Sequence, residues 1–186
     1  MRSDFRRVTT ERLTLTAVAP GDISDLFTLH SDPRVWTHLP SGVYVDREQM
    51  VSDVTDYAAD WQRDGLGYWT ARRSDDGAVV GIGGVRRRPA GFWNIYYRLF
   101  PEHQGHGFAT EIARTGMAAA SAQASGLPVL AVLLERNLGS LRTAQRLGLT
   151  RAWRGQDPRI PDPDAVRLVY ADRPLPRQIL DAVVSP

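Results

Sequence analysis

The amino-acid sequence predicts one domain of mixed α/β (α+β) class that spans residues 1–186. Two β-rich segments at residues 68–73 and 78–85, joined by a short turn ending in glycine, indicate an antiparallel hairpin. The continuous apolar segment at residues 129–134 follows a helix-forming segment, which is typical of a buried strand reached by a crossover and paired in parallel. A hydrophobic content of 42% in 186 residues is sufficient for one core.

The periodicity of the first half predicts a strand and two helices before the hairpin. Residues 12–18 alternate apolar and polar side chains, as a half-buried strand does. Apolar residues then recur at helical spacing from Ile23. A second helix is expected after Asp46, because Gln49 stands three residues later and completes a capping box.

The second half is predicted to alternate strands and helices. Its elements are a strand at residues 92–100, a helix from about Ala109 to Ser125, the buried strand at residues 129–134, a last helix from Ser140 to Leu147, and strands at residues 149–153 and 166–170. Gly148 ends the last helix, and an Asp/Pro-rich loop separates the last two strands. No repeat or internal linker interrupts this order.

Composition argues against several classes of protein. The 23 basic residues are all arginine and face 21 acidic ones, for a formal charge of +2. The dense basic run Arg86–Arg88 is followed at once by Pro89, which favours an exposed strand end over a nucleic-acid-binding face. The absence of cysteine excludes disulfides, thiolate nucleophiles and cysteine-ligated zinc. No apolar run has the length of a signal or membrane span, so a cytoplasmic protein without membrane contact is expected.

The segment PEHQGHGFATE at residues 101–111 predicts an anion site at the start of a helix. The first main-chain N–H groups of a helix have no partner within it, and glycines let a phosphate approach the backbone closely. A turn that needs Gly105 and Gly107 for geometry alone is the alternative. A P-loop is excluded because the chain has no lysine, and the G-x-G half of a dinucleotide fingerprint is a weak match.

Three motifs resemble the GNAT superfamily of acetyl-CoA-dependent N-acetyltransferases. Residues 104–109 fit the family pattern Q/R-x-x-G-x-G/A. Together with TERLTL near the start and ERNLGSLRTAQRLGL after the buried strand, they are similar to the branch that contains ribosomal-protein alanine and serine N-terminal acetyltransferases. The motifs cover about residues 9–150 in the family's order.

The resemblance implies a fold and a co-substrate. The fold is a mostly antiparallel sheet of six to seven strands with a central, splayed parallel pair and helices on both faces. The co-substrate is acetyl-CoA, and no metal is required. Leu99 and Phe100 would lie beside the pantetheine arm, and Asn137 and Ser140 near its thiol end. The residues expected at the pyrophosphate are Gln104, Gly105, His106, Gly107, Phe108, Ala109 and Thr110.

Catalysis in this family is direct attack of an amine on the thioester, for which a general base and a general acid would help. Where many relatives carry a glutamate and a tyrosine, this chain has Asn94 and Ala144. The remaining candidates are Glu135 as base, Ser140 as acid, and Tyr170 as acid or pocket residue. Each has a structural alternative, namely a solvated charge, a helix cap and a core aromatic. A non-catalytic acyl-CoA-binding module and a dinucleotide-binding protein are therefore kept as alternatives.

The acceptor is expected to be a primary amine of a small molecule or of a protein N-terminus, bound by a monomer or homodimer. Loops 31–45 and 154–165 are expected to line its pocket, with the tryptophans Trp36, Trp61, Trp69 and Trp93. The second helix also carries four acids that weakly favour a cationic acceptor, although a solvated helix face is the preferred interpretation. They are Asp53, Asp56, Asp60 and Asp64.

Overall fold

The computed structural model describes residues 4–185. Its strands are β1 (Arg7–Thr9), β2 (Leu13–Ala17), β3 (Tyr68–Arg73), β4 (Val79–Arg88), β5 (Phe92–Leu99), β6 (Val129–Leu134), β7 (Thr150–Gln156) and β8 (Val166–Ala171). Its α-helices are α1 (Ile23–Ser31), α2 (Arg47–Asp64), α3 (Phe108–Ala124), α4 (Leu138–Arg146) and α5 (Arg177–Val184). The predicted mixed α/β class is confirmed.

One eight-stranded sheet runs in the order β1-β2-β3-β4-β5-β6-β8-β7. All neighbours pair antiparallel except β5 and β6, which are parallel and are connected through α3. The predicted hairpin is the β3–β4 pair, and the predicted parallel strand is β6. The sheet has one strand more than the upper end of the expected range. The extra strand is β1, whose three residues are too short to give a periodic signal.

The central parallel pair separates after two residue pairs, Trp93 with Val129 and Asn94 with Leu130. Beyond these, β5 continues to pair with β4 as far as Leu99, and β6 continues to pair with β8. The edges of β5 and β6 that face each other are therefore open toward their C-terminal ends. This wedge in the middle of the sheet is where a ligand can enter.

Side chains of β5 alternate between two helical layers. Tyr96 packs with the cluster formed by α1 and much of α2, whereas Tyr97 packs with the cluster that contains residues of α3 and α4. The wedge therefore connects the two faces of the sheet. The helix α5, which was not predicted, packs against Leu130 and Val169 through Ile179 and Val183.

Two sequence-based expectations are wrong: that the four tryptophans line the acceptor pocket, and that Asp60 and Asp64 belong to a solvated helix face. The four tryptophans are all buried, three of them almost completely, and pack in the hydrophobic clusters. On α2, Asp60 and Asp64 are also buried rather than solvated, because Arg86 pairs with Asp60 and Arg63 pairs with both acids. These two carboxylates are neutralised within the protein, so they offer no site for a cationic acceptor.

Candidate active site

The predicted bend between β5 and α3 presents a series of open main-chain donors. Gly105 and Gly107 have φ of 79° and 85°, the left-handed region that glycine adopts without strain. Across the part of the chain that the structure describes, the N–H groups of residues 105–110 donate to no protein acceptor. A Cβ at Gly105 would meet no atom within 4 Å, so the space in front of it is open. This is the geometry of an anion nest at a helix N-terminus.

An ion pair holds the bend against the N-terminal part of the chain. Glu111, in the first turn of α3, accepts hydrogen bonds from the Thr10 hydroxyl at 2.6 Å and from the Arg12 guanidinium at 2.8 Å. The same guanidinium donates to the main-chain carbonyl of His106 at 2.8 Å and lies over the Phe108 ring. The carbonyl next to the two glycines is thus turned toward Arg12, away from an incoming phosphate.

A cleft of about 890 Å³ begins at this bend and runs into the wedge between β5 and β6. Its volume is in the range of small-molecule sites, roughly 300–1,000 Å³. Of the residues predicted to bind the coenzyme, most line it: Leu99, Gln104, Gly105, Gly107, Phe108, Ala109, Thr110, Asn137 and Ser140. Phe100 and His106 do not. Phe100 turns into the α1–α2 cluster, and the His106 side chain is exposed, stacked beside Phe108.

The start of α4 forms the opposite wall. The Asn137 side chain caps the helix by accepting from the Ser140 N–H at 3.0 Å. The helix therefore begins at Leu138, and the expectation that Ser140 is its N-cap is wrong. The Ser140 hydroxyl remains without a hydrogen-bond partner among the described residues. The phenol of Tyr97, which reaches across from β5, donates to the Ser140 carbonyl at 3.4 Å. Burial raises the pKa of Tyr97, although the neighbouring side chains of Ser140 and Thr143 oppose the rise, so the phenol is protonated at neutral pH.

The other two predicted catalytic residues lie outside the cleft lining. Glu135 is held by Arg154 through two hydrogen bonds of 2.7 Å, and this partner lowers the pKa of its carboxyl. Tyr170 is buried in β8 and packs in the core, which is its structural alternative. The structure therefore brings Ser140 to the cleft and leaves Glu135 and Tyr170 away from it.

Two residues that the sequence did not single out line the end of the cleft next to Arg136, the residue before Asn137. His38 follows the short turn after α1, and burial, together with the nearby cations of Arg98 and Arg136, lowers its pKa. Its imidazole is consequently neutral at pH 7 and can accept a proton. Arg98 extends from β5 to the same end. A histidine in an irregular loop carries no periodic signal, which is why sequence patterns do not find His38.

Arginines dominate the charged lining of the cleft. Asp157 is the one acid among the described lining residues, and the buried Arg167 neutralises it. Arg142 and Arg146 on α4 line the cleft and form no ion pair with a described residue. The remaining lining arginines are Arg34, Arg98, Arg136 and Arg159. A site of this charge favours anionic ligands.

The splayed sheet, the open anion nest and the cationic cleft are the features expected of an acyltransferase that uses a phosphate-bearing coenzyme. Residues 12–150 match the family model described as the acetyltransferase (GNAT) domain. The chain belongs to this family and is an acyl-CoA-dependent N-acetyltransferase. The family match favours catalysis over the non-catalytic and dinucleotide-binding alternatives.

Solved structures share the fold over most of the chain. An acetyltransferase from Agrobacterium tumefaciens strain C58 is 25% identical with a TM-score of 0.73, covering 90% of this chain and 94% of its own. RimL, a ribosomal L7/L12 alpha-N-protein acetyltransferase solved with coenzyme A, is 17% identical with a TM-score of 0.75, covering 90% and 97%. The ribosomal-protein-S5-alanine acetyltransferase from Vibrio fischeri is 15% identical with a TM-score of 0.65, covering 91% and 99%.

The resemblance to the ribosomal-protein branch is thus confirmed at the level of fold. No curated protein sequence matches the chain significantly. Among residues 4–185, no helix combines the length and apolar character needed to cross a membrane. Within the same described range, no three side chains of the metal-binding types cluster as a metal site.

Proposed function

We propose that this protein transfers the acetyl group of acetyl-CoA to a primary amine in a ternary complex within the described cleft. The observation that carries the proposal is the run of unpaired amides at residues 105–110, which opens directly into the wedge between β5 and β6. The amides would hold the pyrophosphate, and the open edge of β5 would pair with the pantetheine arm. The cytoplasmic location and the monomeric or homodimeric state stay predictions from sequence.

The coenzyme contacts are assigned by position along the cleft. Gln104 donates its side-chain N–H to the Leu99 carbonyl at 3.1 Å, so the end of β5 is tied to the bend. We assign Arg142 and Arg146 to the coenzyme's phosphates, because both line the cleft without an internal counter-ion. Phe100 and His106 would contribute their main chain or flank the site, since their side chains lie outside the cleft lining.

The acetyl transfer needs a base on one side of the thioester and an acid on the other. The amine nitrogen attacks the carbonyl carbon, the new C–N bond forms, and the C–S bond breaks. We assign His38 as the general base that accepts the amine proton, because its imidazole is neutral and lines the cleft. Glu135 does not line the cleft. The leaving thiolate would take a proton from the Ser140 hydroxyl or the Tyr97 phenol, which lie on facing walls. The products are the N-acetylated amine and the free coenzyme thiol.

His38→Gln tests the base. The expected result is a fall in kcat/KM of about 10² to 10⁴, because the variant keeps a similar shape but cannot accept the proton. The affinity for acetyl-CoA should be unchanged. The measurement is amine-dependent release of coenzyme thiol over a panel of primary amines, as a function of pH. The wild-type rate should decline as His38 becomes protonated below its ordinary pKa of 6.5, and the variant should lack that decline.

His103→Gln is the matched control, because His103 lies beside the bend but outside the cleft lining. Its activity and pH profile should equal those of the wild type. Equal losses in the two variants, or a His38→Gln enzyme with a normal rate, would remove His38 from the mechanism. If the wild type binds acetyl-CoA but releases no thiol with any amine, the protein would instead be a non-catalytic acyl-CoA-binding module.

A further inference from the structure

Three contacts fix the side chain of Arg98 on the wall of the cleft. Its Nε donates to the Tyr96 hydroxyl at 2.9 Å, and its Nη1 donates to the Val35 carbonyl at 2.9 Å. Its guanidinium carbon lies 3.3 Å from the centroid of the Trp36 ring. A flexible arginine is thereby held in one orientation before any ligand arrives, so little conformational entropy is lost on binding.

A hydrogen-bond chain behind Arg98 sets that orientation. Nδ1 of His30 lies 2.7 Å from the Leu26 carbonyl, so this nitrogen carries the hydrogen and Nε2 is left as an acceptor. Nε2 lies 3.0 Å from the Tyr96 hydroxyl, which donates to it and accepts from Arg98. Burial lowers the pKa of His30 to about 4, so the chain keeps one proton arrangement at neutral pH.

Arg98 has no counter-ion among residues 4–185. No carboxylate lies within ion-pair distance, and its Nη2 donates to no acceptor in the described chain. Three other arginines that are half-buried or buried do have an acidic partner: Arg72 pairs with Asp22, Arg86 with Asp60 and Arg167 with Asp157. A partly desolvated cation that lacks an internal anion is stabilised most by an anion supplied with the ligand.

The neighbours of Arg98 add positive charge to the same end of the cleft. Arg136 donates to the His38 carbonyl at 2.7 Å. The positive charges of Arg136 and Arg98 both contribute to lowering the pKa of the His38 imidazole. Arg34 lines the same end. Their acidic partners, Asp162 and Asp32, do not line the cleft. The arginines assigned to the coenzyme phosphates, Arg142 and Arg146, lie in the middle and at the end of α4, whereas Arg136 precedes that helix.

We propose that the acceptor carries, beside its primary amine, a carboxylate or phosphate that Arg98 binds. This assignment rests on the proposed acetyltransferase function and names its class of substrate. The free Nη2 and the fixed plane of the guanidinium suit a planar or tetrahedral anion. With the anion at Arg98, the amine lies on the side of His38, which then receives its proton. The assignment replaces the cationic acceptor that the acidic residues of α2 suggested.

Pairs of amines that differ only in the anion test the proposal. The carboxylate pair is β-alanine and β-alaninamide, and the phosphate pair is O-phosphoethanolamine and ethanolamine. Thiol release is measured with acetyl-CoA in excess, and kcat/KM is compared within each pair. The anionic member is expected to be preferred by about tenfold to hundredfold in at least one pair, the range of a charge-assisted hydrogen bond. The pair that shows the preference identifies the anion.

Arg98→Met should abolish the preference while leaving the acetyl-CoA affinity unchanged, because methionine keeps the packing on Trp36 but has no charge. Dividing the wild-type preference by the preference of the variant cancels differences in amine basicity. Arg177→Met, which removes the same charge from an exposed site on α5, should keep the full preference. Thermal unfolding shows whether Arg98→Met is folded. If it is not, Arg98→Lys replaces it, and this variant is expected to show a reduced but measurable preference for the anionic amine.

A second measurement covers the case in which no probe amine is acetylated. Inorganic phosphate and acetate are titrated calorimetrically into the protein saturated with coenzyme A. Binding that is lost in Arg98→Met and retained in Arg177→Met supports the proposal. Absence of binding, preference for the neutral amines, or a preference that survives Arg98→Met overturns it. Failure of the wild type to bind acetyl-CoA at all overturns the proposed function as well, which separates the two outcomes.

Discussion

Gly105 determines how closely the main chain of the bend can approach a phosphate. Its φ of 79° is in the left-handed region, and Gly91 in the β4–β5 turn has a nearly equal φ of 85°. Both have open space where a Cβ would stand. Gly105→Ala and Gly91→Ala should therefore lower the free energy of unfolding by a similar amount, about 1–2 kcal/mol. Only at Gly105 would relaxation of the strained backbone turn unpaired amides away from the coenzyme.

The expected result is a rise of at least about tenfold in the dissociation constant of acetyl-CoA for Gly105→Ala, equal to about 1.4 kcal/mol, and no change for Gly91→Ala. Titration calorimetry measures the affinity, and urea unfolding measures the stability. Equal affinities in the two variants would show that the bend uses glycine for its turn alone.

At the scale of single residues, the sequence predicts what depends on local backbone geometry. The glycines of the bend could be predicted because each acts within a few residues of its own position, whereas the cap of α4 was expected at Ser140 and lies at Asn137. His38 and Arg98 could not, because only tertiary packing brings the loop after α1 to the end of β5. The burial of Asp60 and Asp64 could not be predicted for the same reason, because the arginines that pair with these acids come from β4 as well as from α2.

At the scale of elements, a buried ion pair connects the loop before β8 to the C-terminal helix. Arg167 donates to Asp157 at 2.8 Å and to the Val183 carbonyl of α5 at 2.7 Å. Both charged side chains are almost fully buried, whereas the nearby pair of Arg136 and Asp162 is substantially exposed. Removal of one partner from a buried pair leaves an uncompensated charge, which costs far more than the loss of a surface pair.

Asp157→Ala should thus reduce the free energy of unfolding by about 3–5 kcal/mol, and Asp162→Ala by about 1 kcal/mol or less. Urea unfolding followed by far-ultraviolet circular dichroism measures both. Similar losses in the two variants would mean that Asp157 does not neutralise Arg167 in solution.

The two elements that the sequence did not predict, β1 and α5, are stabilised by contacts with residues that are distant in sequence. The strand β1 has three residues and obtains its conformation from pairing with β2. The helix α5 has eight residues and is attached through Ile179, Val183 and the guanidinium of Arg167. By contrast, α2 and α3 have long apolar faces, and α2 also has a capping box, so their sequences identified them directly.

At the scale of the whole molecule, Glu111 connects parts of the chain that are far apart in sequence. It accepts hydrogen bonds from the Thr10 hydroxyl, the Arg12 N–H and the Arg12 guanidinium, and so fixes the start of α3 to the strand region of β2. Burial would raise the pKa of Glu111, but these hydrogen bonds outweigh it and hold the pKa below its ordinary value of 4.5. Folding therefore favours the ionised form of this carboxyl.

Because the pKa of Glu111 is lower in the folded protein, its contribution to the free energy of unfolding decreases as the pH falls. A carboxyl whose pKa is lower in the folded state contributes its full stabilisation above the unfolded pKa, and loses it as pH falls through the folded pKa. Glu111→Gln should cost about 1–2 kcal/mol at pH 7, because it replaces charge-assisted hydrogen bonds by neutral ones. The difference from the wild type should shrink as pH falls below 4.5.

Urea unfolding of the two proteins between pH 7 and pH 3 measures that difference. Glu102→Gln is the matched control, since Glu102 lies exposed on the same bend and forms no ion pair with a described residue, so its difference from the wild type should stay near zero at every pH. The acetyl-CoA affinity at pH 7 should fall only in Glu111→Gln, because loss of the attachment to Arg12 frees the His106 carbonyl to turn toward the coenzyme. A pH-independent difference, or an unchanged affinity, would mean that the connection through Glu111 is not what holds the anion site open.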